Sequence, residues 1–384
     1  MKGPVKPSLL IFYDHFFPAY KAGGPIQSLT NLAIALQDVY GIFVITSSYD
    51  LNEARPLENI QPEVWSEITI PGSASSIKVW YAAAGKPGTD TIKENLKRTG
   101  ATVVYLNGMF SYRYVLVPLF AIKKNIRIVI CPRGMLQQGA LAVKSFKKKI
   151  YLAILKMSGL CKRVTWHATN AEEEQDIKKV FGSDAKVIVA ENIPKKPVAA
   201  IRNSGKQQGT LRLVYLSLIT EKKNLLLLVN IISKLPANIT LDIYGPVKDA
   251  AYWRKCEEVI NTNSSKIKYR GDVKPADVQE TFANYDASIL LTKGENFGHA
   301  LYESLSAGRP IITSNFTPWN GLQEKKAGWN VDISNEKEIS ETLLHICNMN
   351  NAPFNEYQTG AHNIASDYYL HGFDTGKYLK LFSE

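Results

Sequence analysis

The stretch that decides the fold runs from Lys293 to Ser314 and reads K-G-E-N-F-G-H-A-L-Y-E-S-L-S-A-G-R-P-I-I-T-S. An apolar run precedes it and another lies near its end, so the pattern predicts strand, glycine turn, helix, turn and strand. Glu295 precedes the turn and Glu303 follows eight residues later. Gly298 lies near the predicted helix start, where unpaired N–H groups and the helix dipole favour a phosphate. This arrangement suits a ligand with sugar hydroxyls at both ends and a diphosphate between them.

Strand-like and helix-like segments alternate along the rest of the 384-residue chain. We predict strands at Leu9–Tyr13, Phe43–Thr46, Lys78–Ala82, Val103–Leu106, Arg127–Ile130, Val164–Ala168, Lys186–Ala190, Leu211–Leu216, Thr240–Tyr244, Lys266–Tyr269, Ala287–Leu291, Pro310–Thr313 and Trp329–Val331. Between the seventh and eighth strands, Ile193 to Gly209 is rich in proline, lysine, glycine and glutamine. Apolar strands that alternate with helices form mainly parallel sheets covered by helices.

The predicted fold is therefore α/β, with two Rossmann-like domains whose parallel sheets face each other across a cleft. The N-terminal domain spans 1–192, a linker spans 193–210, and the C-terminal domain spans 211–360. The aromatic segment 361–384 has a helical pattern, and we expect it to pack back toward the N-terminal domain.

The composition limits the partners and the cellular compartment that we expect for the protein. The formal net charge of +11 indicates an anionic partner: a phosphorylated ligand, a membrane surface or nucleic acid. Its four cysteines lie far apart without a C-x-x-C, which favours reduced thiols in the cytoplasm and argues against a zinc site. The N-terminus is a poor signal peptide, and the longest apolar runs are far below the roughly 20 residues of a spanning helix.

Several motifs together resemble one enzyme family. The stretch from Gly294 to Ser314 resembles the E-x₇-E signature of the retaining GT-B glycosyltransferases of family 4, also called glycosyl transferases group 1. Residues 18–29, P-A-Y-K-A-G-G-P-I-Q-S-L, look like the first glycine loop of that family, and residues 217–224, S-L-I-T-E-K-K-N, resemble its phosphate-binding segment. C-P-R-G-M-L and H-A-T-N-A-E-E-E look like segments of its bacterial polysaccharide members. The resemblance covers nearly the whole chain and implies the GT-B fold. It also implies that domain 1–192 binds the acceptor and domain 211–360 binds the nucleotide sugar.

The resemblance also implies roles for the residues of the decisive stretch. Glu295 would contact hydroxyls of the donor sugar. The backbone at Asn296, Phe297 and Gly298 would approach the sugar and the diphosphate. Glu303 would hold the ribose of the nucleotide. Read without the family, an E-x₇-E pair is usually a loop acid and a solvated helical acid.

Two other segments supply candidate donor contacts. Gly23 and Gly24 precede a predicted helix, where glycine lets the backbone approach a phosphate. Lys222 and Lys223 follow the first strand of the second half, within reach of a diphosphate. The family commonly has an arginine five residues before the lysine that matches Lys223, whereas this chain has Leu218. The alternative for Gly23 and Gly24 is a tight turn without a ligand. The alternative for Lys222 and Lys223 is an exposed lysine pair at a helix start.

Arg133 joins Glu295 and Lys223 as a candidate catalytic residue. It follows an apolar strand in C-P-R-G-M, where a guanidinium facing the cleft would bind a phosphate or an acidic acceptor. His167 and His299 are candidates for lining the donor pocket or contacting the acceptor. The alternative for Arg133 is a surface residue after a turn. The alternatives for the histidines are a core position for His167 and a helix-start position for His299.

The run from Val143 to Arg163 is basic and amphipathic. Such a helix can rest on the anionic inner leaflet of a plasma membrane, where a lipid-linked acceptor resides. The alternative is a solvated outer helix whose apolar face packs in the core. Nucleic-acid binding is not expected, because no recognition motif accompanies the charge.

We therefore expect transfer of a hexosyl group from a UDP-, GDP- or ADP-sugar to a glycan or lipid-linked acceptor hydroxyl, with retention of configuration. The expected setting is cytoplasmic or peripheral at the membrane, in capsule or lipopolysaccharide assembly. No D-x-D occurs, which fits a mechanism without metal or other cofactor. Two alternatives stay open: a nucleotide-sugar epimerase on the same fold, and a non-catalytic nucleotide-sugar-binding protein.

Overall fold

The chain forms two compact units in the computed structural model. One comprises Met1–Ile193 together with Phe373–Glu384, and the other comprises Pro194–Gly372. The described residues are 6–142, 145–197, 205–236 and 238–383. Residues 198–204 of the predicted linker thus lie outside the described residues. Within the described ranges, no helix has the length and apolar character needed to cross a membrane.

The N-terminal unit is built on an eight-stranded sheet. Its strands are β1 Ser8–Phe12, β2 Gly41–Ser47, β3 Trp65–Thr69, β4 Ser76–Ala82, β5 Val103–Asn107, β6 Arg127–Cys131, β7 Val164–Ala168 and β8 Val187–Val189. Its helices are α1 Gly24–Leu36, α2 Thr89–Arg98, α3 Val117–Ala121, α4 Gln138–Ala142, α5 Ser145–Met157 and α6 Ala171–Phe181, with a π-helix at Tyr112–Leu116 and a 3₁₀ helix at Leu160–Arg163. The strand order is β3-β4-β2-β1-β5-β6-β7-β8.

This sheet is covered on both faces. In β1, Leu9 and Ile11 belong to one hydrophobic cluster, while Leu10 and Phe12 belong to another. Successive side chains of a strand point to opposite faces, so both faces need apolar residues. This burial explains why the strands read as continuous apolar runs instead of alternating patterns.

The C-terminal unit has a six-stranded sheet in which all pairings are parallel. Its strands are β9 Leu211–Leu216, β10 Ile239–Tyr244, β11 Ile267–Tyr269, β12 Ala287–Leu290, β13 Ile311–Ser314 and β14 Gly328–Val331. A 3₁₀ helix spans Glu221–Lys223, and the α-helices are α7 Leu225–Lys234, α8 Ala250–Thr262, α9 Val278–Ala283, α10 His299–Ser306, α11 Glu336–Asn348 and α12 Asn351–His371. The strand order is β11-β10-β9-β12-β13-β14. Along the chain, β10 and β11 are added on one side of β9, and β12, β13 and β14 are then added on its other side.

The predicted fold class is confirmed: both units are Rossmann-like α/β units with mainly parallel sheets. All thirteen predicted strands are present. The strand β3, which the sequence pattern does not predict, is short and partly exposed and pairs antiparallel with β4 at the sheet edge. Because β3 is partly exposed, its sequence has no continuous apolar run that would identify it as a strand.

The segment 361–384 contains parts of two helices instead of one. The helix α12 ends at His371 in the C-terminal unit, and a separate helix, α13 Thr375–Ser383, belongs to the N-terminal unit. Asp374 separates them, since its carboxylate accepts from the Gly376 amide at 2.7 Å and so caps the start of α13. Tyr378, Leu381 and Phe382 of α13 are buried in the N-terminal core.

Candidate functional site

Two segments that are distant in sequence meet at the carboxyl ends of β9 and β12. These strands are neighbours, with Leu213 opposite Ala287 and Val214 opposite Ser288. The 3₁₀ helix follows β9, and the glycine turn follows β12. The Lys293 amide donates to the Lys222 carbonyl at 2.9 Å, which ties the two segments together. This edge is the point where the strand order reverses, the usual ligand position in such sheets.

Lys223 and Glu295 form an ion pair at this edge. The Lys223 ammonium contacts Oε1 of Glu295, and the two side chains are 18% and 12% exposed. The Glu295 amide donates to the Phe316 carbonyl at 2.9 Å, so the loop after β13 fixes the backbone of this residue. Oε2 of Glu295 accepts no hydrogen bond from the described residues. One carboxylate oxygen therefore stays available to a sugar hydroxyl.

Lys222 lies beside the glycine turn. A Cβ built on Gly294 would lie 3.5 Å from Cε and 3.9 Å from Nζ of Lys222. The structure thus brings both lysines of the predicted phosphate-binding segment to the turn. Leu218, at the position where the family commonly has an arginine, is half-buried and supplies no charge.

Gly298 forms the start of α10 in a left-handed conformation, with φ 77° and ψ 63°. A Cβ there would meet Cδ1 of Leu301 at 3.1 Å, so both backbone angle and space favour glycine. The first hydrogen bond of the helix runs from the Tyr302 amide to the Gly298 carbonyl, at 3.0 Å. N–H groups of the first turn have no intrahelical acceptor, which makes this end of α10 suitable for an anion.

Phe297 anchors the turn in the core. Its ring is 5% exposed and packs against Tyr302, Trp319 and Tyr368. Its carbonyl accepts the indole N–H of Trp319 at 2.6 Å. The ring and carbonyl are therefore engaged within the protein, which restricts the implied ligand contact to the remaining backbone. The neighbouring Asn296 and His299 are partly exposed, and the His299 ring packs edge-on against Phe297.

Glu303 lies one helical turn further along α10. Its carboxylate is half-buried and accepts no hydrogen bond from the described residues. Burial raises the pKa of Glu303 to about 7, and the positive charge of Lys195 offsets part of that effect. A carboxylate that is desolvated but has no donor partner is ready to accept hydrogen bonds from a ligand hydroxyl.

Arg133 occupies a corresponding edge of the N-terminal unit, just after β6, with a left-handed φ of 57°. Its guanidinium donates to Asn107 Oδ1 at 2.9 and 3.1 Å, to Asn192 Oδ1 at 2.9 Å and to the Tyr105 hydroxyl at 3.1 Å. All of these acceptors are neutral. No carboxylate of the described residues forms an ion pair with Arg133, so its charge is held in place without being neutralised.

The expectation that His167 lines a pocket is wrong. The ring is completely buried, with Nδ1 2.7 Å from the Tyr105 hydroxyl and Nε2 2.8 Å from the Ala190 carbonyl. Burial and the nearby Arg133 charge lower the pKa of His167 to about 3, so the ring is neutral. Nε2–H then donates to Ala190 while Nδ1 accepts from Tyr105, whose oxygen accepts from Arg133. His167 therefore acts only through this chain of hydrogen bonds.

Two buried carboxylates that the sequence analysis missed hold the loops of this unit. Glu173 accepts from the Gly134 amide at 2.6 Å and from the Thr169 amide at 2.8 Å. By sequence alone, the run Glu172 to Glu174 resembles helix capping and solvated surface. The spacing of Asn170 and Glu173 is that of a helix N-cap with an acid at the third position, a signal for such a role.

Asp50 is the second missed carboxylate. It accepts from the amides of Tyr20 at 2.9 Å and Lys21 at 3.1 Å. These amides belong to the loop that contains Gly23, which has φ 79°, and Gly24, the first residue of α1. The protein's own carboxylate thus shapes the loop next to the two glycines. Nothing in the sequence around Asp50 indicates this contact, because it joins loops after two different strands.

No group of three or more His, Cys, Asp or Glu side chains is arranged to hold a metal ion within the described ranges.

Residues 210–349 match the family model described as glycosyl transferases group 1. No curated protein matches the chain.

Solved structures that resemble the chain cover nearly all of it. Sucrose-phosphate synthase from Thermosynechococcus elongatus has a TM-score of 0.70 at 15% identity, over 98% of this chain and 97% of the other. HepE from Anabaena, solved in complex with UDP and glucose, has a TM-score of 0.70 at 14% identity, over 98% and 100%. WaaG, described as a glycosyltransferase involved in lipopolysaccharide biosynthesis, has a TM-score of 0.66 at 15% identity, over 98% and 100%. At these identities the likeness shows the fold, and that fold is GT-B.

Proposed function

We propose that the protein transfers a hexosyl group from a nucleoside diphosphate sugar to an acceptor hydroxyl. The GT-B fold and the match of residues 210–349 to the model of glycosyl transferases group 1 support this proposal. The acceptor is a glycan or a lipid-linked sugar, and the setting is the assembly of a bacterial surface polysaccharide. The lipopolysaccharide role stated for WaaG supports this setting. The UDP complex of HepE favours a UDP-sugar over a GDP- or ADP-sugar as donor.

The observation that carries the proposal is the pair of acids around one glycine turn, each with an unused acceptor. Glu303 is half-buried without a donor among the described residues, and Glu295 has one oxygen without a donor there. Between them in sequence lie Gly298 and the start of α10. We assign Glu303 to the ribose hydroxyls and Glu295 to the donor sugar.

The diphosphate would lie between the two acids. We assign its negative charge to Lys222, Lys223 and the N-terminus of α10, because both lysines reach the glycine turn from the neighbouring strand. With Leu218 in place of an arginine, these groups carry more of the phosphate binding than is usual in the family. Asn296 and His299, at the same turn, are assigned to the edge of the donor pocket.

The chemistry then depends on positioning and charge stabilisation. The bond between the anomeric carbon and the diphosphate oxygen breaks, and the acceptor oxygen bonds to the anomeric carbon on the same face, which retains the configuration. The acceptor proton passes to a phosphate oxygen of the leaving group. Lys222 and Lys223 stabilise the charge that develops on that group. No residue acts as a covalent nucleophile.

The N-terminal unit is assigned to the acceptor. Arg133 carries a charge that no described carboxylate pairs with, so it suits a phosphate or an acidic group of the acceptor. Asn107, Asn192 and Tyr105 hold its guanidinium in one orientation. The backbone of the loop with Gly23 and Gly24, which Asp50 shapes, is assigned to close approach to a phosphate of the donor.

A thermal-shift screen of UDP-, GDP- and ADP-sugars tests the donor assignment. Only a nucleotide that binds the folded protein raises the melting temperature, and saturation at about 100 times Kd stabilises by about 2.7 kcal/mol. Glu303→Ala should reduce the shift. The matched control Glu341→Ala removes a largely exposed helical acid of the same unit and should keep it. A screen in which no nucleotide raises the melting temperature would contradict the proposal.

Release of nucleoside diphosphate from the donor separates the enzyme from the alternatives. A transferase should release it, with loss of release in Glu295→Ala. A bound donor that is never turned over would indicate a non-catalytic binding protein, the alternative that Leu218 keeps open. Conversion of the donor into its epimer would indicate an epimerase. Equal rates with EDTA and with added Mg²⁺ are expected for metal-independent transfer, and dependence on the ion would overturn that part.

A further inference from the structure

Helix α5 presents apolar residues on two different faces. Leu152 and Leu155 point into the N-terminal core and are 9% and 0% exposed. On the outside lie four exposed residues: Phe146 75%, Ile150 45%, Ile154 50% and Met157 87%. Their spacings of four, four and three residues place them in one line along the helix. We call these four residues the α5 stripe.

Lysines flank the α5 stripe along its length. At 3.6 residues per turn, Lys147 lies on one side of the stripe, while Lys149 and Lys156 lie on the other. All three side chains are exposed. Lys148 differs, because its ammonium reaches the Ala140 carbonyl at 2.5 Å and lies 5.0 Å from the Phe110 ring centroid. Val143 and Lys144, at the start of the basic run, lie outside the described residues.

More lysines and an arginine extend the basic surface beyond α5. The Arg163 guanidinium donates to the Lys123 carbonyl at 2.9 Å, which joins the end of the 3₁₀ helix to the loop after α3. Lys123, Lys124 and Lys162 are exposed there. The apolar stripe therefore continues into a basic cluster.

The charge of the whole protein is concentrated in this region of the sequence. From Ala101 to Ala171 there are 12 lysines and arginines and no acidic residue. The other 313 residues carry 34 basic and 35 acidic residues and are nearly neutral. The net charge of +11 thus comes from one stretch of 71 residues.

We propose that the α5 stripe inserts into the surface of an anionic phospholipid bilayer while the flanking lysines bind its headgroups. An apolar line bordered by lysines fits the boundary between acyl chains and phosphates, where such helices lie in the plane of the membrane. A nucleic acid would use the positive charge but gives aliphatic side chains no partner. The proposal concerns only this surface and does not depend on the donor site.

Flotation of the full chain with lipid vesicles tests the proposal. The protein should bind vesicles of phosphatidylglycerol and phosphatidylcholine but not vesicles of phosphatidylcholine alone, and high salt should weaken binding. The double variants Phe146→Ser/Ile154→Ser and Lys147→Glu/Lys149→Glu should each lower the bound-to-free ratio by about tenfold or more. The matched controls are Leu370→Ser and Lys337→Glu, which alter exposed residues of the other unit and should bind as wild type does.

Three outcomes would overturn the proposal. Equal binding to charged and uncharged vesicles would exclude headgroup recognition by the lysines. Failure of the wild-type protein to bind anionic vesicles would exclude the bilayer as the partner. Dimers in sedimentation that dissociate in Phe146→Ser/Ile154→Ser would show that a second copy covers the α5 stripe. Melting temperatures near that of wild type would show that the variants fold, because all four substituted positions are exposed.

Discussion

Lys223 and Glu295 are 72 positions apart in the sequence, and their side chains form an ion pair at the carboxyl ends of two neighbouring strands. The pair joins a lysine that follows β9 to an acid that follows β12. In the proposed reaction the two have different partners, the diphosphate and the sugar. The ion pair orients both groups before a donor binds, so less ordering is needed on binding.

Replacing Lys223 should affect turnover more than donor binding. Lys223→Ala is expected to lower the rate of donor turnover by about 100-fold, because the ammonium stabilises charge that develops on the leaving diphosphate. The change in donor affinity should be smaller, since Lys222 and α10 still bind the ground state. Steady-state kinetics and calorimetric titration measure the two quantities. The matched control is Lys337→Ala, an exposed lysine in the same unit. A wild-type rate in Lys223→Ala would remove this residue from the mechanism.

Donor affinity should depend on pH through Glu303. The pKa of Glu303 is about 7, so the free protein holds this carboxyl partly protonated near neutrality. Ribose hydroxyls donate to the ionised form, and affinity for the nucleoside diphosphate sugar should therefore rise from about pH 6 to about pH 8. Calorimetric titration across this range measures the effect. Glu303→Gln should bind more weakly at high pH, by about 1–3 kcal/mol, and without the pH dependence. The same pH slope in the variant would contradict the assignment.

The same carboxyl should also affect stability, with a sign that follows from its raised pKa. The unfolded chain ionises a glutamate near pH 4.3, whereas the folded protein ionises Glu303 near 7. Above about pH 4.3 the unfolded state is therefore increasingly favoured, until the effect levels off above about pH 7. Glu303→Gln removes this cost, so its melting temperature relative to wild type should be higher at pH 8 than at pH 4.5. Glu341→Ala, at an exposed position, should show no such trend. A difference that does not change with pH would contradict the buried position of this carboxyl.

Gly298 should be intolerant of a side chain. Gly298→Ala places an alanine at φ 77°, which costs about 1–2 kcal/mol, and brings its Cβ to 3.1 Å from Leu301. Gly271→Ala in the same unit is a matched control, because Gly271 has φ 83° with no atom within 4 Å of its Cβ. Urea unfolding should show a larger loss for Gly298→Ala than for Gly271→Ala. Equal losses would mean that Leu301 moves aside without cost.

Arg133 should not be replaceable by lysine. Arg133→Lys keeps the charge but cannot donate to Asn107, Asn192 and Tyr105 at once, because an ammonium does not have the planar geometry of a guanidinium. We expect a loss of about 1–3 kcal/mol in the free energy of unfolding and slower transfer to the acceptor. Arg98→Lys, at an exposed position of α2, is the control. If transfer and stability are unchanged in Arg133→Lys, the hydrogen-bonded cage around this arginine has no functional role.

The sequence by itself determined the fold class and the elements that carry the proposed site. Continuous apolar strands that alternate with helices identified the thirteen strands, because burial on both faces of a parallel sheet demands apolar runs. The turn at Gly298 and the acids Glu295 and Glu303 were also recognised from the sequence, because all three lie within one short segment whose pattern is local.

Only the tertiary structure decided which distant residues meet. The pairing of Lys223 with Glu295 depends on the order of β9 and β12 in the sheet, which local patterns do not contain. Burial of His167 and Glu173, and the contact of Asp50 with the glycine loop, likewise depend on what packs over each side chain. The sequence also left open which apolar residues of α5 face outward, because an apolar residue at helical spacing gives the same pattern whether it faces the core or the solvent.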